Sequence, residues 1–342
     1  MSMRFSCLLV GALTAILFAH GIAADELVLH DGSRVFGTVV TKEDNRLEFK
    51  TSFAGVIAVQ WDQVSELKTE RPMQVLLSND ELISTDAIKN TDKSTTLDAG
   101  PDRSPLTFSP REVPYLNPEP WRLGQGYKFS GLANFALKSD RGNTDKDDID
   151  MDADIELRRQ RDRYTLFGEL EHDTSNNQTT KDKWKLRNRY DYFTSEKRYY
   201  SAILSMQADD LAELNLRAAL GPGLGYQFFE SKAMNLSAEL GMLRVHESFN
   251  TQEDNNYWGA GWGIDFDWFV LWDLLQFYHR QTGLWKLQDT SSVALDTWTG
   301  LRIPLILGLV ASTEMKVAYD GGAAEEADTL DTTYRVKLGY QW

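Results

Sequence analysis

The chain has 342 residues and a formal net charge of −15, with 36 Lys and Arg residues against 51 Asp and Glu residues. So acidic a chain does not suit a nucleic-acid partner, because phosphate binding needs clustered Lys and Arg side chains. Its only cysteine is Cys7, so the chain beyond it offers no disulfide, no thiolate metal site and no thiol nucleophile.

The first 24 residues have the pattern of a secretory signal peptide. Arg4 precedes an apolar run that extends to Ala19, and small residues follow it. The run is shorter than the roughly 20 residues that a membrane-spanning helix needs. We therefore expect cleavage after Ala23 or Ala24 and export of the mature chain; an N-terminal anchor helix is the alternative.

Residues 25–87 contain several short strand patterns. The stretch DELVLHDGSRVFGTVV predicts two strands joined by an Asp31-Gly32 turn, and NRLEFKT and GVIAVQW predict two more strands. QVLLSNDELISTDAI resembles the first stretch, with Leu77 in the place of Leu29 and Asn79-Asp80 in the place of the turn. The region therefore predicts a small β-barrel-like domain with a diverged internal repeat.

Residues 88–120 have a different composition. Six of the nine prolines lie between Pro101 and Pro120, among Asp, Ser and Thr residues. Such a composition predicts an extended linker.

From Trp121 to Trp342 the sequence is a nearly continuous series of about twelve strand patterns. The stretch DDIDMDADIELRRQ, residues 147–160, shows the pattern best. Acidic residues occupy every second position, at Asp148, Asp150, Asp152, Asp154 and Glu156, and Ile149, Met151, Ala153, Ile155 and Leu157 lie between them. This alternation predicts a strand with a carboxylate face and an apolar face.

The connections between these patterns alternate in character. After odd-numbered strands they are long or polar, as in SDRGNTDK, HDTSNNQTTKD and ESFNTQEDNN; after even-numbered strands most are short, as in QRD, SEK and ESK. A membrane barrel with its N-terminus in the periplasm has long outer loops and short periplasmic turns. The alternation therefore favours an outer-membrane barrel over 121–342.

Aromatic residues support the same interpretation. One set falls at the predicted periplasmic strand ends, at Tyr127, Phe129, Tyr190, Tyr192, Tyr200, Phe266, Trp268, Tyr340 and Trp342, and a smaller set falls at the outer ends, at Trp184, Trp258 and Tyr319. Aromatic girdles of this kind mark membrane interfaces. We predict an all-β chain with a transmembrane antiparallel β-barrel of about 12 strands behind a small periplasmic β-domain. A soluble β-sandwich is the alternative.

Several stretches also carry a family resemblance: SGLANFALKSDRGNTD, DADIELRRQRDRY, KWKLRNRYDYFTSEKRYY, RAALGPGLGYQFFES, LSAELG and LQFYHR. Through them, residues 121–342 resemble an uncharacterised Gram-negative outer-membrane family, the domain of unknown function numbered 481, also labelled YdiY-like or "salt-induced outer membrane protein". Residues 25–87 resemble the small domain that often precedes this barrel. The resemblance implies a β-barrel in the outer membrane and supplies no catalytic residues.

The terminal Trp342, in the sequence YQW, lies on the apolar face of the last predicted strand. A terminal aromatic residue of this kind resembles the signal that the outer-membrane assembly machinery uses. We therefore expect that machinery and outer-membrane lipid as partners.

The Asp-x-Asp-x-Asp sequence at 148–152 raises the question of a calcium site. An EF-hand loop needs a glycine at its sixth position, where Ala153 stands. On a strand the carboxylates lie about 7 Å apart and cannot converge on one ion by themselves. We expect a solvated, partly ion-paired lumen wall near Lys138, Glu169 and Glu171, and a lumen that favours cations.

His246 and Ser248 form the only hint of catalysis. Outer-membrane acyl hydrolases use a Ser–His pair on the lipid-facing side of a barrel, and the alternation puts both residues on that side. Those enzymes typically have Asn directly after the serine, whereas Phe249 follows here. An ordinary strand end is the expected interpretation, with acyl hydrolysis as a minor alternative.

No other residue suggests chemistry. His279 fits a packing or girdle role, and His30 and His172 are isolated. Gly221, Gly223 and Gly225, around Pro222, predict a place where a barrel strand bends. We assign no catalytic, cofactor-binding or metal-binding residue.

Two functions remain open from the sequence. One is a narrow, cation-favouring channel or a plugged barrel. The other is a non-enzymatic envelope protein in which the periplasmic β-domain binds a protein partner and the barrel serves as its anchor.

Overall fold

A computed structural model describes residues 24–98, 104–141, 145–271, 274–288, 292–321 and 329–342. The described residues form strands and short 3-10 turns, and none of their helices could cross a membrane. The predicted signal peptide, 1–24, lies outside them except for Ala24. The chain divides into two compact units between Pro118 and Glu119.

The first unit is a β-sheet of nine strands. They are β1 Asp25–Leu29, β2 Arg34–Glu43, β3 Arg46–Thr51, β4 Gly55–Gln60, β5 Val64–Leu76, β6 Leu82–Asn90, β7 Thr95–Leu97, β8 Leu106–Phe108 and β9 Tyr115–Leu116. Their order is β4-β3-β2-β1-β5-β6-β7-β8, and β9 pairs with both β2 and β5. Leu27, Phe49, Val64 and Leu67 are among the fully buried core residues.

The two hairpins of the predicted repeat have the same turn geometry. The amide of Gly32 donates to the Leu29 carbonyl at 3.0 Å, and the amide of Asp80 donates to the Leu77 carbonyl at 3.0 Å. Both turn residues have positive φ angles, 86° at Gly32 and 67° at Asp80. Aspartate tolerates this left-handed conformation better than most residues, so the second turn forms without glycine.

Residues 88–98 and 104–118 differ from the predicted extended linker. They supply the end of β6 and strands β7, β8 and β9, and Val113 and Leu116 are fully buried in the core of the first unit. Pro105, Pro110 and Pro114 lie between these short strands, and Pro110 begins the 3-10 turn Pro110–Glu112. Because proline disrupts ladders only within strands, a proline-rich segment with short strands between its prolines can still join a sheet.

The second unit is a closed antiparallel barrel of twelve strands, which confirms the predicted fold class. The strands are β10 Lys128–Asp140, β11 Lys146–Arg158, β12 Asp162–Ser175, β13 Gln178–Phe193, β14 Arg198–Asp209, β15 Leu214–Glu230, β16 Met234–Phe249, β17 Asn255–Phe269, β18 Gln276–Lys286, β19 Val293–Pro304, β20 Leu309–Asp320 and β21 Leu330–Gln341. Each strand pairs with its neighbours in sequence, and β21 pairs with β10.

Side chains alternate between the two faces of the barrel. In β11 the acidic residues from Asp148 to Glu156 point inward, and Ile149 to Leu157 point outward, as several inward ion pairs show. Outward aromatic residues cluster at one end, where Phe129, Tyr164 and Tyr190 lie in one cross-strand row with Leu157. The barrel therefore has an apolar outer face and a polar interior.

One local prediction differs from the structure. The stretch HDTSNNQTTKD is not a long loop: β12 continues to Ser175, and Asn176 and Asn177, both with positive φ, form a tight turn into β13. The strands continue here although both of their faces are polar. At the predicted bend, β15 runs through Pro222 without a break, from Leu214 to Glu230.

The barrel closes between its first and last strands. Gly131 and Trp342 exchange two backbone hydrogen bonds of 3.1 Å each. The Trp342 ring lies directly over Gly131, where an added Cβ would approach the ring to 2.3 Å. The glycine therefore provides the room for the terminal tryptophan at the closing seam.

Candidate functional site: the ion-paired interior of the barrel

The acidic row of β11 faces basic side chains from distant strands. Asp150 pairs with Arg335 of β21 at 2.9 Å, and Asp152 pairs with Lys337 of β21 at 2.5 Å. Asp154 pairs with Arg280 of β18. Asp154 therefore reaches across the interior, Asp150 and Asp152 pair with bases two strands away, and the carboxylates do not converge on a common point.

Two glutamates of β12 extend this network. Glu169 and Glu171 are both less than 10% exposed, and the register places them opposite Asp152 and Asp150. Glu169 accepts hydrogen bonds from Lys316 at 2.7 Å and from Arg335 at 3.1 Å. Glu171 also pairs with Lys181 at 2.9 Å. Neighbouring buried carboxylates are stabilised only when cations lie between them, and these bases supply that charge.

An aromatic pair crosses the middle of the interior. The rings of Phe167 in β12 and Trp298 in β19 meet edge to face with centroids 5.5 Å apart. Trp298 is 4% exposed, and the Lys185 and Lys316 ammonium groups lie 5.1 and 5.5 Å from its ring centroid. On the shorter way round the barrel, β20, β21, β10 and β11 lie between these two strands. The pair therefore joins nearly opposite walls.

A second network fills the interior nearer the start of β12. Arg163 pairs with Asp191 of β13 at 2.7 Å and donates to Gln227 of β15 at 2.7 Å. Arg189 of β13 reaches Asp265 of β17 at 3.2 Å. Asp191 is fully buried. Side chains thus cross the barrel at more than one level.

Charge is also balanced toward the opposite end, at the connection between β10 and β11. The register aligns Lys138, Asp148, Asp173 and Lys181 in one row across four neighbouring strands. This row places Lys138 beside the acidic row of β11, where the sequence predicted it. Two acids and two bases side by side leave little net charge in the row.

The described residues contain no group of three or more His, Cys, Asp or Glu side chains that could hold a metal ion. His279 contacts the Thr299 hydroxyl at 2.8 Å, and His172 lies 3.7 Å from Asp182 on the outward face. The three glycines around Pro222 lie close to neighbouring groups. At Gly225, an added Cβ would meet the Tyr199 ring at 2.1 Å, so glycine makes room for that inward ring.

His246 and Ser248 lie on the outward face near the end of β16. The Nδ1 atom of His246 lies 3.1 Å from Oδ1 of Asn256 in β17, its direct cross-strand partner. The sequence reasoning missed Asn256, because a cross-strand partner is defined only once the register is known. The structure thus adds a neighbour that orients the imidazole ring.

The sequence also missed the partners of the acidic row. Arg280, Lys316, Arg335 and Lys337 lie more than a hundred residues further along the chain. One signal was present in the sequence, because Phe167 and Trp298 are aromatic residues at inward positions of strands whose other inward residues are mostly polar or small.

Among solved structures, the NanC porin matches with a TM-score of 0.40 and 10% identity, covering 62% of this chain and 99% of that one. The outer membrane channel DcaP of Acinetobacter baumannii matches with a TM-score of 0.31 and 9% identity, over 63% and 95% of the two chains. The translocator domain of the autotransporter NalP from Neisseria meningitidis matches with a TM-score of 0.33 and 9% identity, over 64% and 89%.

A search of curated proteins finds no match. A family model described as "Protein of unknown function, DUF481" matches residues 133–342, which include nearly the whole barrel and more than half of the chain. The match agrees with the resemblance found in the sequence. The chain therefore belongs to the DUF481 family.

Proposed function

We propose that the protein is a Gram-negative outer-membrane protein whose barrel spans the membrane and whose N-terminal β-domain lies in the periplasm. The apolar outward face supports the first part, since a lipid-embedded barrel must be apolar outside and must leave no unpaired strand edge. Short connections such as 159–161 and 231–233, at the end rich in aromatic residues, support the proposed orientation. We also propose that the assembly machinery recognises β21 and its terminal Trp342.

The function that the interior supports best is that of a plugged barrel with at most a narrow passage. The observation that carries this proposal is the Phe167–Trp298 pair, which joins nearly opposite walls. Twelve-stranded barrels have a modest diameter, so bulky side chains that meet across the interior fill much of the lumen. Ion pairs such as Lys316–Glu169 extend the obstruction around this pair.

Single-channel recording in planar bilayers tests the plug. The wild-type protein should show no large, steady conductance, and the double variant Phe167→Ala/Trp298→Ala should show a larger one, because it removes both rings from the lumen. Trp184→Ala is the matched control, since Trp184 faces outward and is 41% exposed. An open, porin-sized conductance in the wild type, or no effect of the double variant, would contradict the plug.

Any residual passage should favour cations. The inward aspartates near the outer strand ends outnumber the inward lysines there, with Asp140, Asp148, Asp173, Asp209 and Asp331 against Lys138, Lys146, Lys181 and Lys183. A salt gradient across the bilayer would then give a reversal potential of the sign expected for cation selectivity. Anion selectivity of the opened Phe167→Ala/Trp298→Ala variant would overturn this part of the proposal.

A second candidate function is partner binding by the periplasmic domain, with the barrel as an anchor. Phe53, in the turn between β3 and β4, is 79% exposed, and Phe36 is 58% exposed. A photo-crosslinking residue at position 53 should then capture a specific envelope protein in intact cells, and one at the polar position Asp92 should not. Equal capture at both positions would contradict a binding role for this surface.

We propose no catalytic activity. Acyl hydrolysis remains the alternative, and the observation in its favour is the hydrogen bond between His246 and Asn256. In Ser–His enzymes, a third group that orients the histidine in this way is part of the catalytic arrangement. Loss of phospholipid hydrolysis in a Ser248→Ala variant would establish that alternative.

A further inference from the structure

The outward face carries one basic cluster beside the apolar surface of β15 to β17. Arg244 and His246 follow one another on the outward face of β16, and Trp258 and Asn256 are their cross-strand partners in β17. All four side chains are exposed. The Arg244 guanidinium lies 5.6 Å from the Trp258 ring centroid, so the ring holds the cation against the outer wall.

The position of this cluster corresponds to a membrane interface. On β16 the outward residues before Arg244 are apolar and include Leu236, Leu240 and Met242. Beyond Arg244 they are polar, at His246 and Ser248. Trp258 also belongs to the aromatic set predicted for the outer end, and such residues lie at the level of lipid headgroups. In the proposed outer-membrane orientation, Arg244 therefore lies where the outer leaflet carries its headgroups.

Arg244 has no acidic partner among the residues that the structure describes. Other bases on outward positions near the same end do have one: Arg141 pairs with Asp147 at 2.8 Å, and His172 lies 3.7 Å from Asp182. The partners of Arg244 and His246 are the neutral residues Trp258 and Asn256. A cation on a lipid-facing surface is favourable only when an anion or water solvates it. The described residues supply no anion to this cluster, so an anion from outside the protein would stabilise it.

We propose that Arg244, with His246 and Trp258, binds a phosphate group on the headgroup of an outer-leaflet lipid. The guanidinium presents paired N–H donors that match the geometry of phosphate oxygens. Oδ1 of Asn256 accepts a hydrogen bond from Nδ1 of His246, which leaves Nε2 of the protonated imidazole to donate to a second phosphate oxygen. The Trp258 ring packs against the apolar part of the lipid. This inference rests on the membrane orientation proposed above.

Native mass spectrometry of the folded protein in detergent tests the site, with phosphorylated lipid A, dephosphorylated lipid A and inorganic phosphate as probes. The wild type should retain phosphorylated lipid A roughly tenfold better than Arg244→Gln, as expected for loss of a charge-assisted contact. Arg141→Gln is the matched control. It also removes one positive charge near the outer end of the barrel, but from an arginine that already pairs with Asp147. It should behave as the wild type.

Equal retention by the wild type and Arg244→Gln, or equal retention of the dephosphorylated lipid, would overturn the site. Binding of equimolar inorganic phosphate as tightly as phosphorylated lipid A would overturn a lipid as the ligand. Arg244→Lys keeps the charge but loses the paired donors, so it should retain the lipid better than Arg244→Gln and less well than the wild type, which separates charge loss from misfolding. Vesicle insertion is measured separately: a protein that does not insert overturns the proposed function, whereas insertion with no dependence on Arg244 overturns this inference alone.

Discussion

Trp298 of β19 donates its indole N–H to Oε1 of Glu169 in β12 across the barrel interior, at 3.2 Å. The same carboxylate accepts from Lys316 and Arg335, so one buried glutamate joins strands β12, β19, β20 and β21. Its position explains how the interior can be both charged and closely packed, because each charge lies against a partner from another wall.

Replacing Glu169 by alanine should destabilise the barrel substantially. The change removes one carboxylate partner from each of the buried cations Lys316 and Arg335. Breaking a buried ion pair typically costs about 3–5 kcal/mol. The temperature at which the folded band disappears in heat-modifiable gel migration should therefore fall clearly. Asp140→Ala is the control, since Asp140 is exposed and pairs with Lys138 at the surface. Equal shifts in the two variants would contradict the bridging role.

Gly131→Val should weaken the closing seam. A side chain at residue 131 would occupy the space of the Trp342 ring, and closure would then require that ring to move. We expect slower assembly in vesicles and a lower unfolding temperature than for Ala133→Val, a change of similar kind at the next outward position of β10. Trp342→Ala combined with Gly131→Val should add little further loss, because both changes disturb the same contact.

Asp25→Ala should destabilise the N-terminal β-domain. The Asp25 carboxylate accepts the Val39 amide of β2 at 2.8 Å and the Glu70 amide of β5 at 3.1 Å, so it joins two strands. Hydrogen bonds to a charged group contribute about 1.5–3 kcal/mol each, and pulse proteolysis in urea should show a loss in that range. Glu26→Ala, which removes only the surface pair with Arg34, should cost less than about 1 kcal/mol.

Lys42 should make the stability of the same domain depend on pH. Its ammonium group is buried, with Nζ 2.5 Å from the Val113 carbonyl oxygen, and burial lowers the pKa of Lys42 from its usual 10.5 to about 7. The unfolded chain therefore binds this proton more tightly between pH 7 and 10.5, so the free energy of unfolding should rise with pH over that window.

The measurement is pulse proteolysis of wild type and Lys42→Met at pH 7 and pH 9. The wild type should gain on the order of 2–3 kcal/mol more than the variant between these two values. Comparing the two proteins at each pH removes the pH dependence of the protease and of every other group. Parallel profiles would show that Lys42 titrates in the folded domain as it does in the unfolded chain.

The purified, inserted protein should not hydrolyse phospholipid. Fatty-acid release by the wild type should equal that by Ser248→Ala, and a fluorophosphonate should not label Ser248. The control for labelling is Ser195, an exposed residue in a short turn away from any histidine in the sequence. Labelling of Ser248 that disappears in His246→Gln would instead support a catalytic pair.

The sequence was sufficient for the strand number and the two faces of the barrel, because side-chain alternation is a local property of each strand. It was not sufficient for the pairing of Asp154 with Arg280, since that contact depends on how twelve strands close. The Asn176-Asn177 turn was missed because polar strand residues resemble a loop. Residues 88–120 were predicted as a linker because of their proline content. The apolar residues Val113 and Leu116, which lie in the core, carry too little pattern in the sequence to predict strands.

The regular spacing of the acidic row means that β11 by itself does not specify its register against β12 during assembly. If β11 slipped by two residues along β12, its carboxylates would stay inside and its apolar groups outside, because side chains repeat every second residue. Asp150 would then face Glu169 or Asp173 in place of Glu171, which is again an acid beside an acid. The most regular stretch of the barrel therefore cannot distinguish the correct alignment from a slipped one. That information comes from features that do not repeat: the tight Asn176-Asn177 turn, and Phe167, which reaches Trp298 only in one alignment.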